Sequence, residues 1–412
     1  MRLKGSPDLT RRPTPEDRLV SRLLLALALL CSMPFQANAG SLDLGVGEAG
    51  LALGDAPRWT GVRINLVDRD LEEVRGLNLT LWKPDERVRG RIAGLGLGLW
   101  GPQARELDGV HAGLIGIDAS HQLNGIAIAL GGISAGRPLN WRSGGEGNLR
   151  GVLVGGVGVS AGNDIEGLAL SGIGLAAGGD LNAIQASLVG MAVGGSVRGI
   201  AVNGLGGAIG DDASGLVVGG FGQAIGATST GIVLAGFGQS VGDDATGLVF
   251  SGFGQAIGGG ATGIAAAGFG QAIGGDLTGI AMVLGGQSIG DDAEGILVSG
   301  LGTAVGNDLT GISFSGLGTA ARGEMTGIHV AGLGLAADEM RALAVSLGSN
   351  RGIDMTGLSV SSYNRFDGTT TGLSIGLVNV TDELHGVQLG VLNIVRERSG
   401  WNRILPILNV GR

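Results

Sequence analysis

The sequence predicts an all-β fold, a glycine-rich β-solenoid with mostly 16-residue coils. Three observations lead there: an uninterrupted sixteen-residue repeat, a glycine content that helices do not tolerate, and near-identical polar turns. A small residue preceding a large aliphatic one falls at Gly151, Gly167, Ala183, Gly199, Gly215, Gly231, Gly247, Gly263, Gly279, Gly295, Gly311 and Gly327, always 16 apart. With that mark as position zero, position one is always Val, Leu or Ile, and position seven is always glycine. Position ten is apolar, and position eleven is glycine from Gly162 to Gly306. Repeats of this length belong to arrays in which each unit buries its edge on the next.

Within a repeat, helix is excluded first. Five glycines per sixteen residues cost roughly 1 kcal/mol each relative to alanine in a helix. Gly231-Ile232-Val233-Leu234-Ala235 alternates as a strand does, with Ile232 and Leu234 on one face. A strand is therefore expected over positions zero to four, then a bend at the glycines of positions five and seven. A second short strand follows to position ten, and a polar turn closes the coil. Turns such as Gly242-Asp243-Asp244-Ala245 and Gly290-Asp291-Asp292-Ala293 are alike, as a translating coil requires. Phe221, Phe237, Phe253 and Phe269 share position six, and stacking at about 4.8 Å would make them a ladder, expected in the interior. The alternative is an outer-membrane antiparallel β-barrel, whose strands also alternate. Uniformly short turns, segments apolar on both faces and a non-aromatic tail at Asn409–Arg412 weigh against it.

The flanks complete the organisation. Residues 1–39 read as a signal peptide: Arg18 and Arg22, the apolar run Leu23–Leu30, then Gln36-Ala37-Asn38-Ala39 before the cleavage point. Eight apolar residues are too few to span a bilayer, which needs about twenty. Val20 is an alternative start. Cys31, the single cysteine, lies in this segment, so a mature chain from Gly40 has no disulfide or thiol. Its 373 residues include 85 glycines, against about 7% in an ordinary domain. Residues 40–150 hold irregular repeats marked at Gly61, Gly76, Gly90, Gly109 and Gly125, a cap and an inserted loop. Residues 151–342 are the regular block. The next mark is expected at Leu343, where the small-then-large order reverses, and residues 343–412 form irregular repeats and a cap, Asn-containing from 357. Asn379 and Asn393 each lie seven after a mark and Asn409 sixteen further on, so a column of stacked amides is expected.

Gly372-Leu373-Ser374-Ile375-Gly376-Leu377-Val378-Asn379 and Gly386-Val387-Gln388-Leu389-Gly390-Val391-Leu392-Asn393, ending in Gly400-Trp401-Asn402-Arg403-Ile404-Leu405-Pro406-Ile407-Leu408-Asn409, carry a resemblance. The chain resembles the bacterial surface repeat-containing proteins first noted in spirochaetes. The likeness covers residues 357–412 and part of 61–125, and the central block departs by placing glycine at position seven. Those proteins are exported, so the resemblance implies a location and no chemistry.

Charge and motifs narrow the function. The mature chain has 21 basic and 33 acidic residues, a net −12, which repels nucleic acid and anionic lipid. His111, His121, His329 and His385 have no zinc-ligand spacing and are expected at the surface. Gly94-Leu95-Gly96-Leu97-Gly98 lacks the context of a nucleotide site, and there is no Gly-Lys-Ser or Gly-Lys-Thr. Position thirteen holds Asp164, Asp180, Asp212, Asp244, Asp276, Asp292 and Asp308, then Glu324. These read as solvated turns in which Asp bonds its own backbone, and Ser196, Thr228 and Gly260 break the column that calcium would need. One threonine column, Thr230, Thr246, Thr262 and Thr278, is too narrow for an ice-binding surface. Partner contacts are expected where the array breaks its rules: Arg137, Trp141, Arg142 and Glu146 in the inserted loop, and Tyr363, Arg365 and Phe366 near the C-terminus. Trp59, Trp82, Trp100, Trp141 and Trp401 lie outside the regular block and are expected to fill and cap its irregular ends. The expectation is an exported non-enzymatic structural or interaction repeat protein at the cell surface, outer membrane or periplasm, without a cofactor. Its partner would be a protein or glycan, not nucleic acid, with outer-membrane association a further option. A carbohydrate-active solenoid enzyme is the remaining alternative, requiring carboxylates that converge in a cleft.

Overall fold

The computed structural model describes residues 35–38, 40–83, 89–136 and 147–412. The chain divides into two compact units, Met1–Gly136 and Arg137–Arg412.

In the second unit most coils contribute a seven-residue strand, such as Ser229–Ala235, and a four-residue strand, such as Gly238–Val241. Long strands pair with long strands and short with short, always parallel and in register at the repeat interval: Gly231 lies beside Gly247 and Gln239 beside Gln255. Pairing of every repeat with the next in parallel makes the fold a β-solenoid. A barrel meander would alternate strand direction, and that alternative is excluded. The turns are laddered as well, since Phe237 N–H donates to Phe221 O at 2.7 Å and Gly242 N–H to Ile225 O at 2.9 Å.

The glycine mark has a backbone reason. Gly231 has φ +117°, and a Cβ there would lie 2.4 Å from the carbonyl oxygen of Gly215. No L side chain fits that conformation at that distance. Ala183 stands at one mark outside the positive-φ group.

Beyond Gly327 the array continues with a shorter step. Gly327 pairs with Ala342, Ala342 with Gly357, Gly357 with Gly372 and Gly372 with Gly386. The true mark is Ala342 rather than Leu343, so the array loses one residue there and keeps its register. The strand Ile404–Val410 then lies antiparallel on Glu383–Val395 and covers the last open edge.

The first unit begins with antiparallel pairing of Phe35–Asn38, Ser41–Val46 and Ala49–Gly54. Parallel stacking follows through Arg58–Val67, Glu73–Trp82, Arg91–Gly98, Gln103–Gly113 and Gly116–Ala129. Its aligned glycines are Gly50, Gly61, Gly76, Gly94, Gly109 and Gly125. Gly94 thus replaces the expected mark Gly90.

Candidate interaction surface

In the regular block the two faces of the long strand carry different side chains. Val233 and Ala235 point inward and are buried, while Ile232 and Leu234 point outward. Both faces are apolar, so alternation locates a face without saying which one is covered. Inward side chains from the opposed short strand, Gln239 and Val241, leave room for Val and Ala.

The phenylalanine ladder is present and lies outside. Ring centroids are 5.0 Å apart for Phe221–Phe237, 4.8 Å for Phe237–Phe253 and 5.4 Å for Phe253–Phe269, with planes within 8° of parallel. Yet Phe237 and Phe253 are 46% and 47% exposed, and the outer two more so. The expectation of an internal ladder is corrected, and the loss of about 3–5 kcal/mol for truncating a buried aromatic does not apply to these rings.

Around the ladder the outward positions form one surface. Positions one, three and six of the twelve repeats carry Val, Leu, Ile, Ala, Met or Phe everywhere except Gly285. No charged or polar side chain interrupts it. Thr230, Thr246, Thr262 and Thr278 line one border, and the acidic turns lie beyond them. The outward face of the short strands is different, bearing only Gly at position seven and Ala or Ser at position nine. Shallow depressions on that side are lined by residues such as Gly238, Ser240, Gly286, Ser288, Thr303 and Ala304, and no carboxylate lines them.

Inside, the sequence reading missed a polar column. Gln223, Gln239, Gln255, Gln271 and Gln287 stack at position eight and are buried, followed by Thr303 and Thr319. After Leu335 the same column continues as Asn350, Asn364, Asn379 and Asn393. The amide column expected near the C-terminus is real: Asn364 Nδ2 donates to Asn379 Oδ1 at 2.8 Å, and Asn379 Nδ2 to Asn393 Oδ1 at 2.7 Å. Asn409 is outside it, since it lies on the antiparallel strand and accepts from Arg398 Nη1 at 2.7 Å. The asparagines at offset seven and glutamines at offset eight are equivalent because the C-terminal coils lost one turn residue. The regular block therefore does not replace that asparagine with glycine.

The aspartate column is a bracket between coils. Asp164 Oδ1 accepts from Asp180 N–H at 2.8 Å, Asp180 from Ser196 N–H at 2.8 Å, and Asp244 from Gly260 N–H at 2.7 Å. Asp292 and Asp308 repeat the contact onto Asp308 and Glu324. Each carboxylate thus bonds the backbone sixteen residues ahead rather than its own. Among the described residues, no three His, Cys, Asp or Glu side chains gather as a metal site.

Two histidines are in the core, correcting their surface assignment. His111 and His329 are fully buried, because position two faces inward. Burial pushes both down to about 4. His329 Nδ1 shares a 2.9 Å hydrogen bond with Ser313 Oγ, whereas neither ring nitrogen of His111 has a well-formed partner. His385 is exposed beside Glu383. The first unit also buries Arg63, which donates to Asp68, to Asn78 Oδ1 at 2.9 Å and to Asp55 Oδ1 at 2.5 Å. Asp68 accepts in addition from Asn65 at 2.6 Å and Thr80 at 2.7 Å. That network spends its carboxylate on its own neighbours.

The sites expected at the array's irregularities separate. Arg137, Trp141, Arg142 and Glu146 lie outside the described residues. Phe366 is buried in the core, so it is not a surface contact. Arg365 faces outward and pairs with Asp367 at 3.0 Å; Arg365, then Arg396, holds that carboxyl below the usual range. Tyr363 is half-buried with the Arg351 guanidinium 5.9 Å from its ring centre. Trp59 fills the core of the first unit and donates to Gly50 O at 3.0 Å, but Trp401 is 95% exposed and covers nothing. Among the described residues, the long strands of the regular block present a contiguous outward apolar face. No family profile, curated protein or solved structure matches the chain.

Proposed function

We propose that this β-solenoid is an exported, non-enzymatic structural or interaction protein that works through the apolar face of its regular block. The carrying observation is that face: thirty-six outward positions, thirty-five of them apolar side chains and none charged. Monomeric proteins rarely expose a contiguous apolar patch beyond a few hundred Å2 without using it. The bracketed aspartates favour this reading over a glycosidase, which needs two free carboxylates facing one cleft; in the depression lined by Glu48, Glu72 and Glu73, Glu72 and Glu73 are paired with Arg58 and Arg75. The leader-like residues 1–39 support export, and the resemblance to surface repeat proteins supports the envelope or cell surface.

Fractionation of producing cells, followed by N-terminal sequencing, tests the location. The expected result is a chain beginning at Gly40 in the envelope or medium. Recovery from the cytosol with residues 1–39 attached would overturn export.

A further inference from the structure

We propose that the occupant of the apolar face is a second copy of this chain, packed long-strand sheet against long-strand sheet. The proposal rests on the interaction reading above and names its partner. Three features select a copy of the chain over other occupants.

The first is extent. Twelve coils at about 4.8 Å each, across a seven-residue long strand such as Ser229–Ala235 at about 3.3 Å per residue, give a sheet face of about 58 by 20 Å. That is about 1,200 Å2, and a stable complex buries about 800 Å2 per partner. The second is period. Outward rows repeat at the coil spacing, with Phe237 and Phe253 stacked 4.8 Å apart. A copy presents the same spacing, so each row of one sheet meets a row of the other along the whole block.

Charge is the third. Residues 151–342 carry 15 acidic and 3 basic side chains, and the aspartates run along the coil edge opposite position six. An anionic bilayer is repelled by that edge. In a pair, a two-fold axis along the array direction puts the two acidic edges on opposite sides of the interface. An axis along the strands would superpose them. The two-fold therefore runs along the array, and position three of each copy faces position three of the other. Phe250 accordingly meets Phe250 of the second copy.

Sedimentation equilibrium of the full chain in detergent-free buffer should give twice the chain mass. Phe250→Lys with Met282→Lys, two outward side chains 45% and 43% exposed, should halve it while the far-ultraviolet circular dichroism stays the same. A second readout does not depend on that variant folding. In a Cys31→Ser background, Phe250→Cys should oxidise to a covalent dimer, and Ala256→Cys, outward on the short strands, should not. A wild-type chain that stays monomeric overturns the proposal. If that monomer floats with phosphatidylcholine vesicles, the interaction reading survives with lipid as its partner; if it ignores them, both readings fall. Equal cross-linking at Phe250→Cys and Ala256→Cys also overturns the face-to-face arrangement.

Discussion

His329 occupies an inward column between Ser313 and Ala344, and later coils fill that column with Ser359, Ser374 and Gln388. A neutral imidazole fits there, because burial holds it down to about 4 from 6.5. The unfolded chain takes up a proton below about 6.5 and the folded one only near 4. Stability from this residue is therefore complete above about pH 6.5 and is lost as pH falls toward 4, by at most about 3 kcal/mol. Urea titrations at pH 7, 6 and 5 should show the decline before most carboxylates protonate. His329→Gln, which borrows the residue of Gln388, should flatten part of it; an unchanged slope would contradict the burial. His111 adds a similar dependence in the first unit. A pattern that reads Ile and Leu as the covered face, with the smaller residue left outside, assigns both histidines to solvent. That one inversion accounts for the misplaced phenylalanines as well.

At the scale of the coil, the sixteen-residue spacing was legible because pairing and repeat have the same length, and nothing longer-ranged intervenes. Removing Gly231 through Thr246 joins Thr230 to Gly247, preserving every column. The product should fold, shorten by about 4.8 Å and lose roughly one neighbour interface. Deleting only Gly231 through Gly238 puts Gln239 at a mark, a position that only glycine or alanine fills in the second unit, and should fail. Thermal melting and small-angle scattering distinguish the two, and failure of the whole-coil deletion would break the nearest-neighbour picture. The C-terminal register was less legible. Asn364 and Asn379 stood out by their spacing, but their identity with Gln239 and Gln255 depends on a turn shortened by one residue. Only the strand pairing reveals that step.

Over the whole molecule, charge and apolar surface act in opposite directions. Residues 40–412 carry a net −12, and their stacked aspartates repel across about one coil spacing. Screening at that range needs concentrated salt, since the Debye length is about 10 Å at 0.1 M and 3 Å at 1 M. Raising sodium chloride toward 1 M should therefore raise the melting temperature and strengthen self-association. A fall in both would mean that ion pairs, rather than apolar contact, hold the copies together. The absence of a chemical motif in the sequence was informative about this surface, because its ordinary residues are unusual only in being outside. Exposure cannot be read from residue type, and no polar cluster marked the face.

The outward ladder from Phe221 to Phe269 has a practical consequence. Flat dyes brighten on amyloid by lying along side chains stacked at the cross-β spacing, and this native chain stacks four phenylalanine rings at that spacing on its outer surface. Dye fluorescence would then report the correctly folded protein rather than fibrils. It would also fade as copies pair, because dye and second copy compete for the same aromatic rows.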